Sequence, residues 1–383
     1  MTRAGGARDS MRRTIVLGLA GWGVMAVAFV GILADRHHSA AAARAPLPSL
    51  TATLPANQER AWQSFPAYRD VVPVLAYHGV GGRTSDLTVT RLRFAQQMHA
   101  LKLAGFHPLT IRQYASYVRN GPAGLPSRPI LLTFDDGRLD SYRSSDSILR
   151  QYGFHATELV VPGWVSQYPR FSLSWNELRA MQASGTWDIQ EHFGTGHEDV
   201  TVDRAGRTGG AFGWLRYITG TGAQPGHLES FAQFQQGLAA NMTWGEQQLK
   251  QRVPGFRPLS MAIPDSDFGQ NATNDLRIPT FVLSWLNQHY PVVFGGDYLS
   301  RVAHLVYQVP GRFSRRLSYR MVMGPDDSLA VLHCRLLYYV KNWSIVHEYK
   351  CLNLAQSAPV PAATPGPGEA GPGEAGPDGG PGG

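Results

Sequence analysis

Cysteine is nearly absent from the sequence, and no part of it carries a dense run of positive charge. The 383 residues include two cysteines, Cys334 and Cys351, too few for a cysteine-rich zinc cluster or a disulfide framework. A single disulfide bond between them is possible if the domain lies outside the cytoplasm. The net charge is +7, from 35 basic and 28 acidic residues, and the basic residues are scattered. Nucleic acid is therefore not an expected partner.

Charge is also absent from one long stretch near the N-terminus. Residues 14–34 contain no charged side chain and are long enough to cross a bilayer as one helix. Four arginines in residues 1–13 predict, by the positive-inside rule, that this end stays in the cytoplasm and that the rest is exported. The alternative is a cleaved signal, since the stretch "SAAAARA" at residues 39–45 consists of small residues apart from Arg44. We expect a single-pass cell-membrane protein with an extracytoplasmic domain, or a secreted protein after cleavage.

The remaining chain divides by composition into a linker, a folded domain and a tail. Residues 35–68 are rich in Ala, Pro and Ser and are predicted to be a linker. Residues 355–383 are dominated by Pro and Gly and are predicted to be disordered. Within residues 69–354, short apolar runs alternate with helical patterns, such as the one opened by a Ser174–Glu177 capping box. This alternation predicts an α/β fold with a parallel sheet, open or closed into a barrel.

Two adjacent carboxylates follow one of the predicted strands. The run "ILLTF" ends directly before Asp135 and Asp136, and Gly137 comes next. Parallel α/β folds carry their chemistry at the carboxyl ends of strands. Adjacent ionised carboxylates repel each other, so a nearby cation would account for the pair. The alternative is a structural role at a helix N-terminus, where acidic residues are favourable.

Two histidines follow a later predicted strand. His192 and His197 stand five residues apart in "EHFGTGH", after the strand "TWDIQ". Two neutral imidazoles and one carboxylate are a common ligand set for a divalent metal with open coordination positions. Two exposed loop histidines are the alternative. The aspartate pair and the histidine pair each follow a strand of the same βα pattern. Together the two segments can supply three metal ligands and one further carboxylate.

These segments resemble the NodB-like polysaccharide deacetylases of carbohydrate esterase family four. "TFDDG" matches the first motif of that family, and "EHFGTGH" resembles its histidine motif as it occurs in poly-β-1,6-N-acetylglucosamine deacetylases. "PVLAYHGV", which contains His78, resembles the opening strand of the same group. The resemblance implies a distorted (β/α)7 barrel that removes N-acetyl groups from an N-acetylglucosamine-containing exopolysaccharide.

The resemblance also implies roles for individual residues. Asp135 would be the general base, while Asp136, His192 and His197 would hold a divalent metal, with zinc the implied ion. His78 would lie near the site or serve the structure alone. A glycoside hydrolase using the two adjacent aspartates is disfavoured, because a sugar must fit between carboxylates about 5 Å or more apart.

The third motif of the family is altered in this sequence. In "AIPDSDFGQ", Ala262 stands where an arginine would steady the base, and Asp265 stands in place of an aromatic residue. The backbone N–H of Asp265 can still serve an oxyanion. His333, in "LAVLHC", is a candidate general acid, with a core or surface histidine as the alternative. Two other functions therefore stay open, a peptidoglycan deacetylase and a catalytically impaired carbohydrate-binding protein. The oligomeric state is not predicted.

Overall fold

The structure is a computed structural model that describes most of the predicted domain. The described residues are 44–81, 85–195, 197–222, 224–295, 317–342 and Cys351. The predicted anchor at residues 14–34 and the predicted disordered tail at 355–383 lie outside them. None of the helices in these ranges is both long and apolar enough to span a membrane.

Short strands alternate with helices along the described chain. The strands are β1 (Val74–Tyr77), β2 (Gly79–Val80), β3 (Thr88–Val89), β4 (His107–Pro108), β5 (Pro129–Phe134), β6 (Ala156–Val160), β7 (Trp187–Glu191), β8 (Asp199–Thr201), β9 (Thr208–Gly210), β10 (Tyr217–Ile218), β11 (His227–Leu228), β12 (Ser260–Ala262), β13 (Val292–Phe294) and β14 (Met321–Val322). The helices are α1 (Ala56–Gln63), α2 (Arg91–Leu103), α3 (Ile111–Asn120), α4 (Leu139–Tyr152), α5 (Trp175–Ser184), α6 (Phe231–Arg252), α7 (Ile278–His289) and α8 (Leu329–Asn342).

The main sheet is parallel and curled. Its strands run in the order β13-β12-β7-β6-β5-β1-β14, and β4 pairs with the first residues of β5. A parallel bridge between Phe294 and Ser318 joins β13 to the segment that leads into β14, so the two edges of the sheet meet. The predicted α/β fold with a parallel sheet is therefore confirmed. The count of seven βα repeats stays a prediction, because residues 296–316 after β13 are not among those described.

Local sequence signals explain where the elements begin and end. All six residues of β5 are buried, as expected for a parallel strand covered on both faces. Leu131 packs in a cluster with alternate residues of other strands, whereas its neighbours in β5 pack in the cluster beneath the helices. Helix α5 begins with the predicted capping box, in which Ser174 and Glu177 satisfy each other's backbone N–H groups. Helix α4 ends at Gly153, which adopts the left-handed conformation.

The segment before β1 packs against the domain, which contradicts the predicted linker in its described part. In residues 44–68, helix α1 buries Trp62, and Phe65 is buried in the same core cluster. At the start of this segment Arg44 forms an ion pair with the buried Glu177, with Nε 2.7 Å from Oε1. The linker was predicted because Ala, Pro and Ser dominate the composition of this segment. The few aromatic and charged residues that hold it to the domain contribute little to that composition.

The two cysteines form a disulfide bond. Cys334 lies on α8, and its sulfur is bonded to that of Cys351. The sequence left this pairing open, and the structure makes it. The bond ties the end of the described chain to the helix that packs on α1 and α2.

Candidate metal centre and active site

The predicted site residues lie at one edge of the sheet. Asp135 and Asp136 directly follow β5, and His192 directly follows β7. Asp265 lies in a short turn after β12. These strands are parallel members of one sheet, so their carboxyl ends share an edge and bring the four residues together. The structure thus brings together three segments, each more than fifty residues from the next in the sequence.

A left-handed backbone at the end of β5 directs the two aspartates to different partners. In a regular strand, neighbouring side chains point to opposite faces. Asp136 has φ +74° and Gly137 has φ +68°, so the chain turns sharply here. A left-handed residue other than glycine costs roughly 1–2 kcal/mol, although aspartate tolerates it better than most. As a result, Asp135 points to Arg320 while Asp136 faces the two histidines.

Asp136, His192 and His197 form a triangle of potential ligand atoms. Asp136 Oδ1 lies 3.7 Å from His192 Nε2 and 3.6 Å from His197 Nε2, and the two Nε2 atoms are 3.0 Å apart. The point equidistant from the corners of such a triangle lies about 2.0 Å from each, the length of zinc bonds to nitrogen and oxygen. These three residues therefore fit a divalent metal such as zinc.

The backbone of β12 orients His192. Its Nδ1 is 2.9 Å from the carbonyl oxygen of Ala262, which can only accept, so Nδ1 carries the proton. The lone pair then sits on Nε2, facing Asp136. Burial lowers the pKa of His192 to about 4, so the ring is neutral at pH 7. A neutral imidazole held by a second hydrogen bond is the usual state of a metal-ligating histidine.

Asp265 supports the second histidine. Its Oδ1 lies 3.5 Å from His197 Nδ1, on the side of the ring away from Asp136. Burial alone would lower the pKa of His197, but Asp265 and Asp136 outweigh burial and raise it. Asp265 itself adopts φ +49°, a strained conformation that is typical of functional sites. The carboxylate thus takes the position of an orienting partner for a metal ligand. An oxyanion role for its backbone N–H stays a prediction.

Asp135 forms a buried, bidentate ion pair with Arg320. Arg320 Nη1 and Nη2 lie 2.6 and 2.7 Å from the two carboxylate oxygens. Asp135 is 1% exposed and Arg320 is 2% exposed. Burial raises the pKa of Asp135, but Arg320, with His192 and His78, outweighs burial and keeps the pKa well below its usual range. Asp135 is therefore an ionised carboxylate with both oxygens bound by Arg320, and its Oδ2 also lies 3.8 Å from His192 Nε2.

The place of Arg320 in the site was not predicted from the sequence. The arginine expected beside the base would stand at Ala262, but Arg320 comes from a segment 185 residues after Asp135. One signal could have found it. Arg320 interrupts the apolar run that contains β14, and a buried arginine needs a carboxylate partner.

The two other histidines considered from the sequence lie in different places. His78 is next to the base, with Nε2 3.8 Å from Asp135 Oδ2. His333 is on α8, where its ring packs edge-on against Trp62 and Phe65, and its Nε2 is 3.2 Å from the carbonyl oxygen of Ala61. The candidate role of His333 as general acid is therefore corrected. It belongs to the contact between α1 and α8, as the alternative interpretation held.

Comparison with known proteins agrees with this geometry. Residues 123–277, which include both aspartates, both histidines and Asp265, match the family model for polysaccharide deacetylase. This segment of the chain is similar to polysaccharide deacetylase domains. It is 28% identical over 110 residues to poly-beta-1,6-N-acetyl-D-glucosamine N-deacetylase of Staphylococcus aureus (strain MSSA476), covering 28% of this chain and 37% of that relative. The chain thus spans little more than a third of the length of this curated relative.

Solved structures of deacetylases share the fold of this domain. A de-N-acetylase from Aggregatibacter actinomycetemcomitans superposes with a TM-score of 0.55 at 19% identity, over 67% of this chain and 95% of that one. IcaB from Ammonifex degensii superposes with a TM-score of 0.51 at 22% identity, over 71% of this chain and 97% of that one.

The Asp265→Asn substitution tests the orienting role of this carboxylate. Because the amide carries no charge to hold the His197 ring, we expect zinc affinity to fall by roughly 10- to 100-fold. Competition with a chromogenic chelator measures the dissociation constant. Asp199→Asn, at an exposed carboxylate in β8, serves as the control with the same loss of charge. An unchanged zinc affinity in Asp265→Asn would show that Asp265 does not support the metal centre.

The buried ion pair is tested by a double-mutant cycle. Arg320→Met leaves the Asp135 carboxylate buried without its partner and should lower the free energy of unfolding by roughly 3–5 kcal/mol. Asp135→Asn combined with Arg320→Met should cost less than the sum of the single changes, as urea unfolding measures. Lys250→Met, at a surface i,i+4 pair with Glu246 in which the lysine side chain is 51% exposed, should have almost no effect. Additive losses in the double variant would contradict the pairing.

Proposed function

We propose that this chain hydrolyses N-acetyl groups on an N-acetylglucosamine-containing exopolysaccharide, with a divalent metal, zinc, as its cofactor. One observation carries the proposal. Asp135 is ionised, paired with Arg320 and separate from Asp136, His192 and His197, whose ligand atoms surround one point. A base and a metal site that are adjacent but distinct are what hydrolysis of an unreactive amide requires.

The chemistry follows from the positions of these residues. When bound, the metal polarises the acetyl carbonyl and lowers the pKa of water toward ~7. Asp135 accepts the proton of the attacking water, because Arg320 keeps it ionised and oriented. Asp135 Oδ2 lies 3.8 Å from His192 Nε2, which puts the base beside the ligand set. Cleavage of the C–N bond then yields acetate and an amino sugar.

His78 is the proposed proton donor to the leaving amine. Its Nε2 lies 3.8 Å from Asp135 Oδ2, the same oxygen atom that lies 3.8 Å from His192 Nε2. Its Nδ1 is buried and has no hydrogen-bond partner among the described residues. In this position it can return to the amine nitrogen the proton that Asp135 takes from water.

The altered third motif is compatible with a working site. Arg320 supplies the charge that a side chain at position 262 lacks, and Ala262 still orients His192 through its carbonyl oxygen. Asp265 faces His197. The Asp265 departure, which favoured an impaired carbohydrate-binding protein, thus has a use beside a proposed metal ligand. The likeness to a poly-beta-1,6-N-acetyl-D-glucosamine N-deacetylase favours that polymer over peptidoglycan as the substrate.

We further propose that the domain works at the outer face of the cell membrane. The charge-free stretch at residues 14–34 supports an anchor. The disulfide bond between Cys334 and Cys351 also supports this location, because disulfides persist in oxidising compartments. If the proposal holds, protease added outside intact cells digests the domain. In cells not treated with protease, the chain is recovered with the membrane fraction. Protection from external protease, or recovery with the cytosol, would contradict it.

Acetate release tests the function. The full-length protein should release acetate from poly-β-1,6-N-acetylglucosamine oligomers, lose this activity with a chelator and regain it with zinc. Asp135→Asn should lower kcat by roughly 10²- to 10⁴-fold with unchanged zinc content, because Asp135 is a base and not a ligand. Asp70→Asn, at an exposed carboxylate, is the control. Full activity in Asp135→Asn would show that the base is misassigned, and faster release from peptidoglycan would favour that substrate.

A pair of histidine variants tests the proton donor. His78→Gln should lower kcat by roughly 10²-fold or more while zinc binding is retained, because the leaving amine loses its acid. His333→Gln should leave kcat unchanged, since its ring lies between α1 and α8. Initial rates across a range of pH values measure both effects. The reverse pattern, with only His333→Gln impaired, would contradict this assignment.

A further inference from the structure

An aromatic loop lies directly beside the candidate metal centre. Residues 162–173 follow β6 and carry Trp164, Tyr168 and Phe171. The Trp164 ring stacks on His197, with centroids 5.6 Å apart and planes 28° apart. Tyr168 and Phe171 contact the Trp164 ring edge-on, at centroid distances of 6.5 and 5.9 Å. The three rings therefore form a contiguous cluster that starts at a proposed metal ligand and extends away from it.

The outer rings of this cluster are open to solvent. Tyr168 is 52% exposed and Phe171 is 38% exposed. They are the only aromatic side chains among the strongly exposed large apolar residues of the described chain. Exposed apolar clusters next to a site often mark where a ligand binds. Because one side of Phe171 is covered by the Arg138 guanidinium, 5.1 Å from the ring centroid, only its other side is available.

The loop is held in place despite its exposure. Within it, the Ser172 hydroxyl donates to the Trp164 carbonyl oxygen at 2.6 Å, and Ser172 N donates to the Tyr168 carbonyl oxygen at 2.7 Å. Ordered backbone around exposed rings lowers the entropy cost of binding a ligand. The aromatic side chains are thus presented in a fixed arrangement.

The same loop is bonded to both segments that carry the site. Leu139 N donates to the Phe171 carbonyl oxygen at 2.7 Å, and Leu173 N donates to that of Gly137 at 2.9 Å, next to the two aspartates. Gly163 N donates to the Gly194 carbonyl oxygen at 2.7 Å, between the two histidines. The position of the rings relative to the ligand triangle is therefore fixed on two sides.

From this arrangement we infer that Trp164, Tyr168 and Phe171 form a stacking surface for the pyranose rings of the polymer substrate. The inference rests on the proposed function and adds the substrate subsites. Aromatic rings offer a flat apolar face with a polar edge, which suits the C–H face of a sugar. Trp164 borders the sugar that reacts, and Tyr168 with Phe171 bind sugars further along the chain.

Dependence on oligomer length tests the stacking surface. Tyr168→Ala and Phe171→Ala should each weaken binding of an N-acetylglucosamine hexamer by roughly 3- to 10-fold, and KM for the hexamer should rise to match. Binding of the N-acetylglucosamine monosaccharide, which fills only the position beside Trp164, should stay unchanged, as should kcat and zinc affinity. Tyr168→Phe keeps the ring and should behave as the wild type. Trp164 is left intact because it contacts His197.

Isothermal titration of the full-length protein separates this inference from the proposed function. Leu92→Ala and Leu276→Ala, at exposed apolar positions elsewhere, are the matched controls and should not change binding. If the wild type binds the hexamer but releases no acetate, weaker binding in the ring variants still supports the surface, and the proposed function alone fails. Equal hexamer binding in wild type and ring variants, or no binding by the wild type, would overturn the inference.

Discussion

Two neighbouring carboxylates cannot both stay ionised in a buried site unless each has its own positive partner. Asp135 and Asp136 meet this constraint by pointing in different directions from a left-handed turn. Arg320 neutralises Asp135 through two short hydrogen bonds, and a metal ion held with His192 and His197 would neutralise Asp136. The division supports the proposed roles, because a carboxylate with both oxygens bound by arginine is a poorer metal ligand and stays ionised.

The rest of the site holds this division in place. The end of β12 orients both histidines, one through the Ala262 carbonyl oxygen and the other through Asp265. Helix α6 packs so closely on the histidine loop that a Cβ at Gly194 would lie 2.3 Å from the Asn241 carbonyl oxygen. The Asn241 side chain also donates to Thr195 Oγ1 at 2.6 Å. Such support keeps metal ligands in position before the metal binds.

The sequence predicted the parts of the site that depend on local patterns. Asp135, Asp136, His192 and His197 stand at strand ends, and strand ends can be found from hydrophobic runs and turn residues. Arg320 could not be placed in this way. Its partner lies 185 residues earlier, and the pairing of β14 with β1, which lies beside β5, brings the two together. The aromatic loop was overlooked because its rings have no periodic spacing.

Two predictions rested on local sequence features, and tertiary contacts corrected both. Ala, Pro and Ser content predicted a linker over residues 35–68, yet the few large side chains of its described part, Trp62 above all, are buried against the domain. The local setting of His333 resembled that of a catalytic acid, but the helix that carries it faces α1. In both cases tertiary contacts that the sequence does not encode locally decided the outcome.

Anomalous diffraction at the zinc edge, from crystals of the zinc-loaded protein, tests the central claim most directly. The account predicts one peak bonded at about 2.0–2.2 Å to Asp136, His192 and His197, with Asp135 still paired to Arg320 and outside the coordination shell. A zinc ion bonded to Asp135, or no peak among these three side chains, would contradict it.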